Sequence, residues 1–280
     1  MAFFVMDYTQ AGTWTTIDMP GSSGTGVSGI DGSYIIGGYG DTTPCGGHGF
    51  LYDGSTWTTL DMPGASMTGA NGIDGGNIVG FYREPSGIGH SFLYNGSVWT
   101  TLDMPGASVT WANDIDGSNI VGYISNHGFL YDGTTWTTLD MPGASGTNPH
   151  GIDGSNIVGI YGDDSGDHGF IYNGSTWTTL DMPGALRTAA CGIDGSNIVG
   201  LYVDASYKTH GFLYNGSTWT TLDMPGASWT EAFGIDASNI VGGYEDASGS
   251  HGFIYTIPEP TMVLLLGLGG ISLILRKSKV

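Results

Sequence analysis

Basic side chains are scarce in this sequence: six Lys and Arg among 280 residues, against 26 Asp and Glu. Three of the six, Arg276, Lys277 and Lys279, fall at the extreme C-terminus, so the remainder sets only Arg83, Arg187 and Lys208 against every acid in the chain. A surface of that sign repels phosphate backbones and anionic headgroups, which excludes nucleic acid as a partner. Cysteine is nearly missing too. Cys45 and Cys191 are far apart and at different phases of the pattern described below, so neither a disulfide framework nor a cysteine metal site is expected. Strong helix formers are sparse before residue 261, and 51 glycines argue against a helix-rich enzyme. The N-terminus, MAFFVMDYTQAG, lacks the basic and apolar regions of a secretory signal, so the leader that export requires is expected upstream of Met1.

What is present is one unit written six times. Trp14, Trp57, Trp99, Trp136, Trp177 and Trp219 mark it, at intervals of roughly 40 residues. Residues 210–244, HGFLYNGSTWTTLDMPGASWTEAFGIDASNIVGGY, show the whole unit. Four strand-like segments alternate with turn chemistry. GFLY and TWTTLDM are separated by Asn215-Gly216, Asp53-Gly54 or Asp132-Gly133, dipeptides suited to a two-residue hairpin. Met-Pro-Gly then turns the chain, and TxAxGID is joined to NIVGxY through Asp-Gly-Ser. A four-stranded unit of this length matches a propeller blade.

The order of a glycine-ended strand, a variable loop, YNGSTW and LDMPG resembles the kelch repeat, and more closely the HAF-type extracellular repeats of bacteria, over roughly residues 2–255. That resemblance implies an all-β, six-bladed β-propeller over residues 1–255. Strand a (TxAxGID) is then innermost, followed by b (NIVGxY), c (GFLY) and the outer d (TWTTLDM). The last unit has no d strand of its own, so residues 13–19 are expected to complete it, leaving 2–8 as a surplus edge segment. The aligned tryptophans are expected to bury between neighbouring blades.

After residues 256–260 an apolar run, Thr261 to Leu275, leads to the basic end. At 15 residues it would make one hydrophobic helix of about 22 Å, with the positive charges held on the cytoplasmic side. Pro258, Glu259 and Pro260, the apolar run, and Arg276 with Lys277 together resemble a PEP-CTERM sorting signal. The resemblance implies export, recognition by an exosortase-like processing enzyme, a transient inner-membrane anchor at 261–280, and a final place at the cell surface or in an extracellular matrix rich in exopolysaccharide.

Candidate chemistry is thin. His48, His90, His127, His168, His210 and His251 recur before strand c and are expected to make a turn-stabilising hydrogen bond in each blade, since symmetry spreads them too widely for a metal. The aspartates of LDMPG and GIDG recur with their turns and are expected to accept backbone N–H groups there. No metal or cofactor is expected, although Asp163, Asp164 and Asp167, or Glu245 and Asp246, have the oxygens to hold Ca2+ loosely. YNGSTW also resembles the Asp-box of sialidases, but it is one residue short, and only Arg83 and Arg187 stand where those enzymes need three arginines. No nucleophile-elbow or phosphate-loop motif occurs, so an enzyme is not expected. The units differ mainly on the face of the b–c and d–a connections. Trp111, Trp229, Tyr207, Lys208, Arg83 and Arg187 form the candidate ligand face there. The leading function is a non-catalytic surface or matrix adhesion module for a polysaccharide or surface protein. The alternatives are a hydrolase or lyase of extracellular polysaccharide and a purely structural coat protein.

Overall fold

The computed structural model of the chain describes residues 12–41 and 47–258. Residues 2–8, Cys45, and the tail from Glu259 onward, with Pro260, Arg276, Lys277 and the expected hydrophobic helix, lie outside the described residues. The described residues form 24 β-strands and no helix, and no helix among them is long and apolar enough to cross a membrane.

Each repeat is a four-stranded antiparallel meander. In blade 3 the strands are Trp111–Asp116, Asn119–Ile124, His127–Tyr131 and Trp136–Leu139, paired in chain order. Four blades are separate sheets. Blades 1 and 2 are joined by a single parallel bridge, Gly47 to Met67. Blade 6 takes Trp229–Asp236, Asn239–Asp246 and Gly249–Thr256 from the end of the chain and its outer strand, Thr13–Ile17, from the beginning. Thr13 pairs with Thr256 and Ile17 with Gly252. His251 Nδ1 lies 2.8 Å from Asp18 Oδ2 across the same junction.

The six a strands contact one another in a closed cycle, blade 6 returning to blade 1. One hydrogen bond per junction runs along this cycle. Asp31 accepts the N–H of Gly75, Asp74 that of Gly117, Asp116 that of Gly154, Asp153 that of Gly195, Asp194 that of Ala237, and Asp236 that of Gly32, all at 2.6–2.9 Å. The GID aspartates therefore do not cap their own turns as the repeat suggested. Each holds the turn of the following blade, and the last reaches back to the first.

Strand b is apolar at two successive positions because both of its faces are covered: Ile78 and Val79, or Ile120 and Val121, are buried. The glycine after them has a steric cause. A Cβ at Gly122 would collide with the carbonyl of Trp111 on strand a, and Gly80 and Gly200 are constrained in the same way. Between blades the core centres on the strand c phenylalanines, Phe50, Phe92, Phe129, Phe170, Phe212 and Phe253, each fully buried. The repeat tryptophans do not fill that place. They are half-buried on the outer strand, edge-on to the phenylalanine at 4.8–5.0 Å and tilted against or stacked on the strand c tyrosine at 4.4–4.6 Å. Strand d is only three or four residues long in blades 1 to 5, so its tryptophan caps the rim of the core.

The c–d connections also differ from two-residue hairpins. Asp53 to Thr56 form a four-residue loop in which the Asp53 carboxylate accepts the N–H groups of Ser55 and Thr56, and only Gly54 is left-handed. Asn95, Asp132, Asn173 and Asn215 repeat this. A side-chain acceptor two residues ahead of its donor is a competing use of Asn and Asp, and here it wins over positive φ. The histidines do stitch each blade: Nδ1 of His48, His90, His127, His168 and His210 lies 2.6–3.0 Å from Asp61, Asp103, Asp140, Asp181 and Asp223.

Candidate functional site

Strand a carries a bulge in every blade, between Ala112 and Asp114 in blade 3 and at the same place in the others. A bulge inserts one residue and re-aims its side chain. The inserted residues are Ser28, Asn71, Asn113, His150, Cys191 and Phe233, and all six line one central cavity of about 450 Å³. Six copies of nearly one sequence thus present six side chains of five chemical kinds around a single space.

Three of these side chains spend their donors on the next blade. Asn71 Nδ2 donates to the Ala112 carbonyl at 2.8 Å, Asn113 Nδ2 to the Pro149 carbonyl at 2.7 Å and to Asn148 Oδ1 at 3.0 Å. His150 Nδ1 lies 3.2 Å from the Ala190 carbonyl, which can only accept, so the proton sits on Nδ1 and Nε2 is an acceptor. Burial pushes the His150 imidazole down to about 4, with Arg187 adding to the effect, so it is neutral near pH 7. Burial pushes the Cys191 thiol up to about 12, which removes it as a nucleophile or thiolate ligand at ordinary pH.

One position departs from the motif. Where five blades have glycine (Gly29, Gly72, Gly151, Gly192, Gly234), blade 3 has Asp114. Its Oδ2 accepts the Ile152 N–H at 3.0 Å, while its Cα and Oδ1 occupy the space that a side chain on Gly72 would need. The channel still touches part of this side chain, yet burial pushes its carboxyl up to about 7, with Asp116 and Asp74 adding to the rise against the Ile152 N–H. The six GID aspartates line the far part of the same cavity. At its side, Arg187 Nε is 3.4 Å from Asp167, and burial raises Glu231 nearby against the opposing charge of Arg187.

This site has a pH consequence. Between the ordinary Asp range and about 7 the folded protein keeps a proton on Asp114 that the unfolded chain has released, so stability falls as pH rises through that window. His48, His168 and His251 act with the same sign. Burial works against His48, but its bonds to Asp61 and Asp41 prevail, and bonds to Asp181 and Asp18 lead for the other two. Their raised values add stability below about 6.5 that is lost as pH climbs through the folded value. Asp163, Asp204 and Asp246, lowered by bonds from Ser165, Lys208 and Ser248, lose stability at the acid end. Between about pH 4 and 6.5 His150, neutral in the fold, works in the opposite direction and offsets Asp114, so melting temperature should stay level there and fall as pH rises further. Asp114→Gly should remove the downward contribution between about pH 4 and 7, so that the melting temperature rises across that range, while leaving the acid limb in place. An unaltered profile in that variant would show that Asp114 does not titrate there.

Among solved structures the fold is similar to the SapL1 lectin in complex with alpha methyl fucoside, at 15% identity over 85% of this chain and 98% of that one, TM-score 0.53. It is similar to the fucose-binding lectin of Aleuria aurantia, a six-bladed β-propeller, at 16% identity over 85% and 92%, TM-score 0.50. The β-propeller domain of the Trilobed protease from Pyrococcus furiosus gives 9% identity over 84% and 96%, TM-score 0.56. The chain is a β-propeller. No family model matches it, and no curated protein matches it by sequence. At such identities the likeness shows the fold alone, and a fold shared by lectins and a protease domain leaves the chemistry to the site.

The residues singled out on the ligand face lie at the same strand ends, as the pairs Met67 with Arg83, Arg187 with Val203 and Trp229 with Glu245 show. They do not form one patch. Trp111 packs between Phe81 of blade 2 and Tyr123 of its own blade, and Trp229 donates from Nε1 to Glu245 at 3.2 Å. Arg83 lines a groove between blades 1 and 2 that shares Ser28 and Asn71 with the cavity. Tyr207, 82% exposed, and the exposed Lys208 stand on a b–c turn held by Asp204. Arg187 alone of the six lines the cavity. Asp163, Asp167, Glu245 and Asp246 are engaged by Ser165, Arg187, Trp229 and Ser248, and among the described residues no three His, Cys, Asp or Glu are grouped to hold a metal ion.

Proposed function

We propose that this chain is an exported, non-catalytic carbohydrate-binding or adhesion module whose ligand enters the central cavity. One observation carries the reading: the bulge position, identical in backbone role in all six blades, is Ser, Asn, Asn, His, Cys and Phe, while the surrounding Thr, Ile and Asp hardly vary. A purely structural ring would gain nothing from five kinds of side chain at six equivalent positions around its centre. A cavity of this size takes one or two sugar rings. That two propellers of similar fold are described with fucose or a fucoside supports the choice of ligand class. A glycan array on the chain, followed by mass measurement of each bound glycan after incubation, separates the possibilities. Specific binding without turnover is expected. Cleavage would make it a hydrolase or lyase of extracellular polysaccharide, for which the raised carboxyl of Asp114 is the supporting feature, and an absence of binding would make it a coat protein.

The destination rests on the tail. Pro258, Glu259 and Pro260, the apolar run from Thr261 to Leu275, and Arg276 with Lys277 act as one unit that an exosortase-like enzyme cuts after export through the inner membrane. In a host with such an enzyme, and with a signal peptide added, the mature product should lack Arg276 to Val280. Replacing the three residues of Pro-Glu-Pro by alanine should leave an uncut protein in the inner membrane. Intact-mass measurement reads both products, and normal processing of the alanine variant would reduce the tail to an ordinary anchor.

A further inference from the structure

The cavity also states what charge its ligand carries. Most of its amide and imidazole donors are engaged by carbonyls and an amide oxygen of the following blades, at Ala112, Asn148 and Pro149, and Ala190, leaving one N–H of Asn71 and the hydroxyl of Ser28. The larger part of what remains is acceptor capacity: the amide oxygens of Asn71 and Asn113 and Nε2 of His150. The six GID aspartates spend Oδ2 on the next blade's N–H and keep Oδ1. The six GID aspartates line the cavity against one cation, Arg187, which is already engaged by Asp167, and Asp114 adds a seventh carboxyl that gives up its proton once a cation pairs with it. Phe233 brings the lining's one phenyl ring, and the face of such a ring attracts an ammonium group through its quadrupole. A wall of acceptors in a negative field selects a ligand of donors with positive charge and rejects a carboxylate or sulfate.

We infer that the central cavity binds an amino sugar, a unit whose hydroxyls donate to Asn71, Asn113 and His150 and whose ammonium group sits at Asp114. This rests on the carbohydrate-binding reading and narrows it. Asp114 is the residue that makes the ring asymmetric: it is the one carboxylate set at the level of the bulges, in the blade where the repeat has exchanged glycine for it. Gly72 leaves the space it needs.

Titration calorimetry at about 0.15 M salt, where long-range attraction is screened, tests the inference on the full chain and on Asp114→Gly. The probes are a glucosamine trimer, the N-acetylglucosamine trimer, a uronate trimer and trilysine. Asp114→Gly restores the residue that five blades already carry, so it should fold, and a melting curve checks this. The glucosamine trimer should bind at least about tenfold more tightly than the N-acetylated one, and the substitution should remove about tenfold or more of that affinity, the scale of one lost charge-assisted hydrogen bond. Equal binding of the two trimers, or preference for the uronate, overturns the cationic ligand while leaving a sugar site. Trilysine binding as tightly, with Asp114→Gly affecting neither, means adventitious attraction to an acidic surface and also overturns it. If no sugar binds in any form, the carbohydrate-binding reading itself fails.

Discussion

Deletion of residues 1–19 should leave a protein that no longer unfolds as one cooperative unit. The outer strand of blade 6, Thr13–Ile17, is drawn from the beginning of the chain, and its removal uncovers the edge of Gly249–Thr256 along five paired positions. Ile17, 6% exposed, packs with Val27, Ile35, Phe50 and Val241, and Trp14 covers the core around Phe253. Burying two such side chains contributes about 1.5–3 kcal/mol each, and the ladder bonds about 1 kcal/mol each. The sum approaches the whole stability of an ordinary domain, about 5–15 kcal/mol. His251 and Gly252 lose Asp18 in addition. A synthetic peptide spanning residues 12–20 should restore the transition in a saturable way, because the truncated blade offers a free edge of matching register. A truncated chain that melts at the parent temperature would mean that the ring does not depend on this closure.

How much of this was legible follows from what a repeat shows. The strand order, the innermost place of TxAxGID and the borrowed outer strand depend on periodicity and on a missing segment at one end, and both can be counted in the sequence. The c–d loop was misread because Asn-Gly serves two geometries. The dipeptide cannot say whether Gly54 alone, or Asp53 as well, turns left-handed, and here the Asp53 carboxylate takes the N–H groups of Ser55 and Thr56. Inter-blade bonds such as Asp236 to Gly32 were invisible, since the repeat states which residues recur and not whether each meets its own unit or the next. The cavity could have been found. The residue before Gly-Ile-Asp, or before Asp114-Ile-Asp in blade 3, is Ser28, Asn71, Asn113, His150, Cys191 or Phe233, a half-buried or buried column that changes chemistry within an otherwise constant motif, and Asp114 breaks the glycine beside it. Loop variation points to the b–c and d–a face instead, because a bulge that turns this column into the cavity leaves no mark in the sequence.

The two aromatic columns of the blade test where its stability lies. Phe129 is fully buried between blades 2 and 3 in a cluster with Val79, Leu102, Ala112, Ile115 and Ile120. Trp136 sits over the edge of that cluster, its ring 4.9 Å from Phe129 and 4.5 Å from Tyr131, and keeps part of its surface in water. Size alone would make the tryptophan the costlier loss. Burial reverses the order, since truncation of an enclosed ring loses its whole transfer energy and leaves a cavity that two packed blades cannot close. Phe129→Ala should cost about 3–5 kcal/mol and Trp136→Ala about 1–3 kcal/mol. Phe129→Leu, which refills most of the volume, should recover the greater part of the first loss. Urea melts of the three variants measure this order directly. Each should share the parent's slope, because the surface exposed on unfolding hardly changes. If Trp136→Ala is as damaging as Phe129→Ala, the outer strand is part of the core and the blades are held together from their rims as much as from their inner strands.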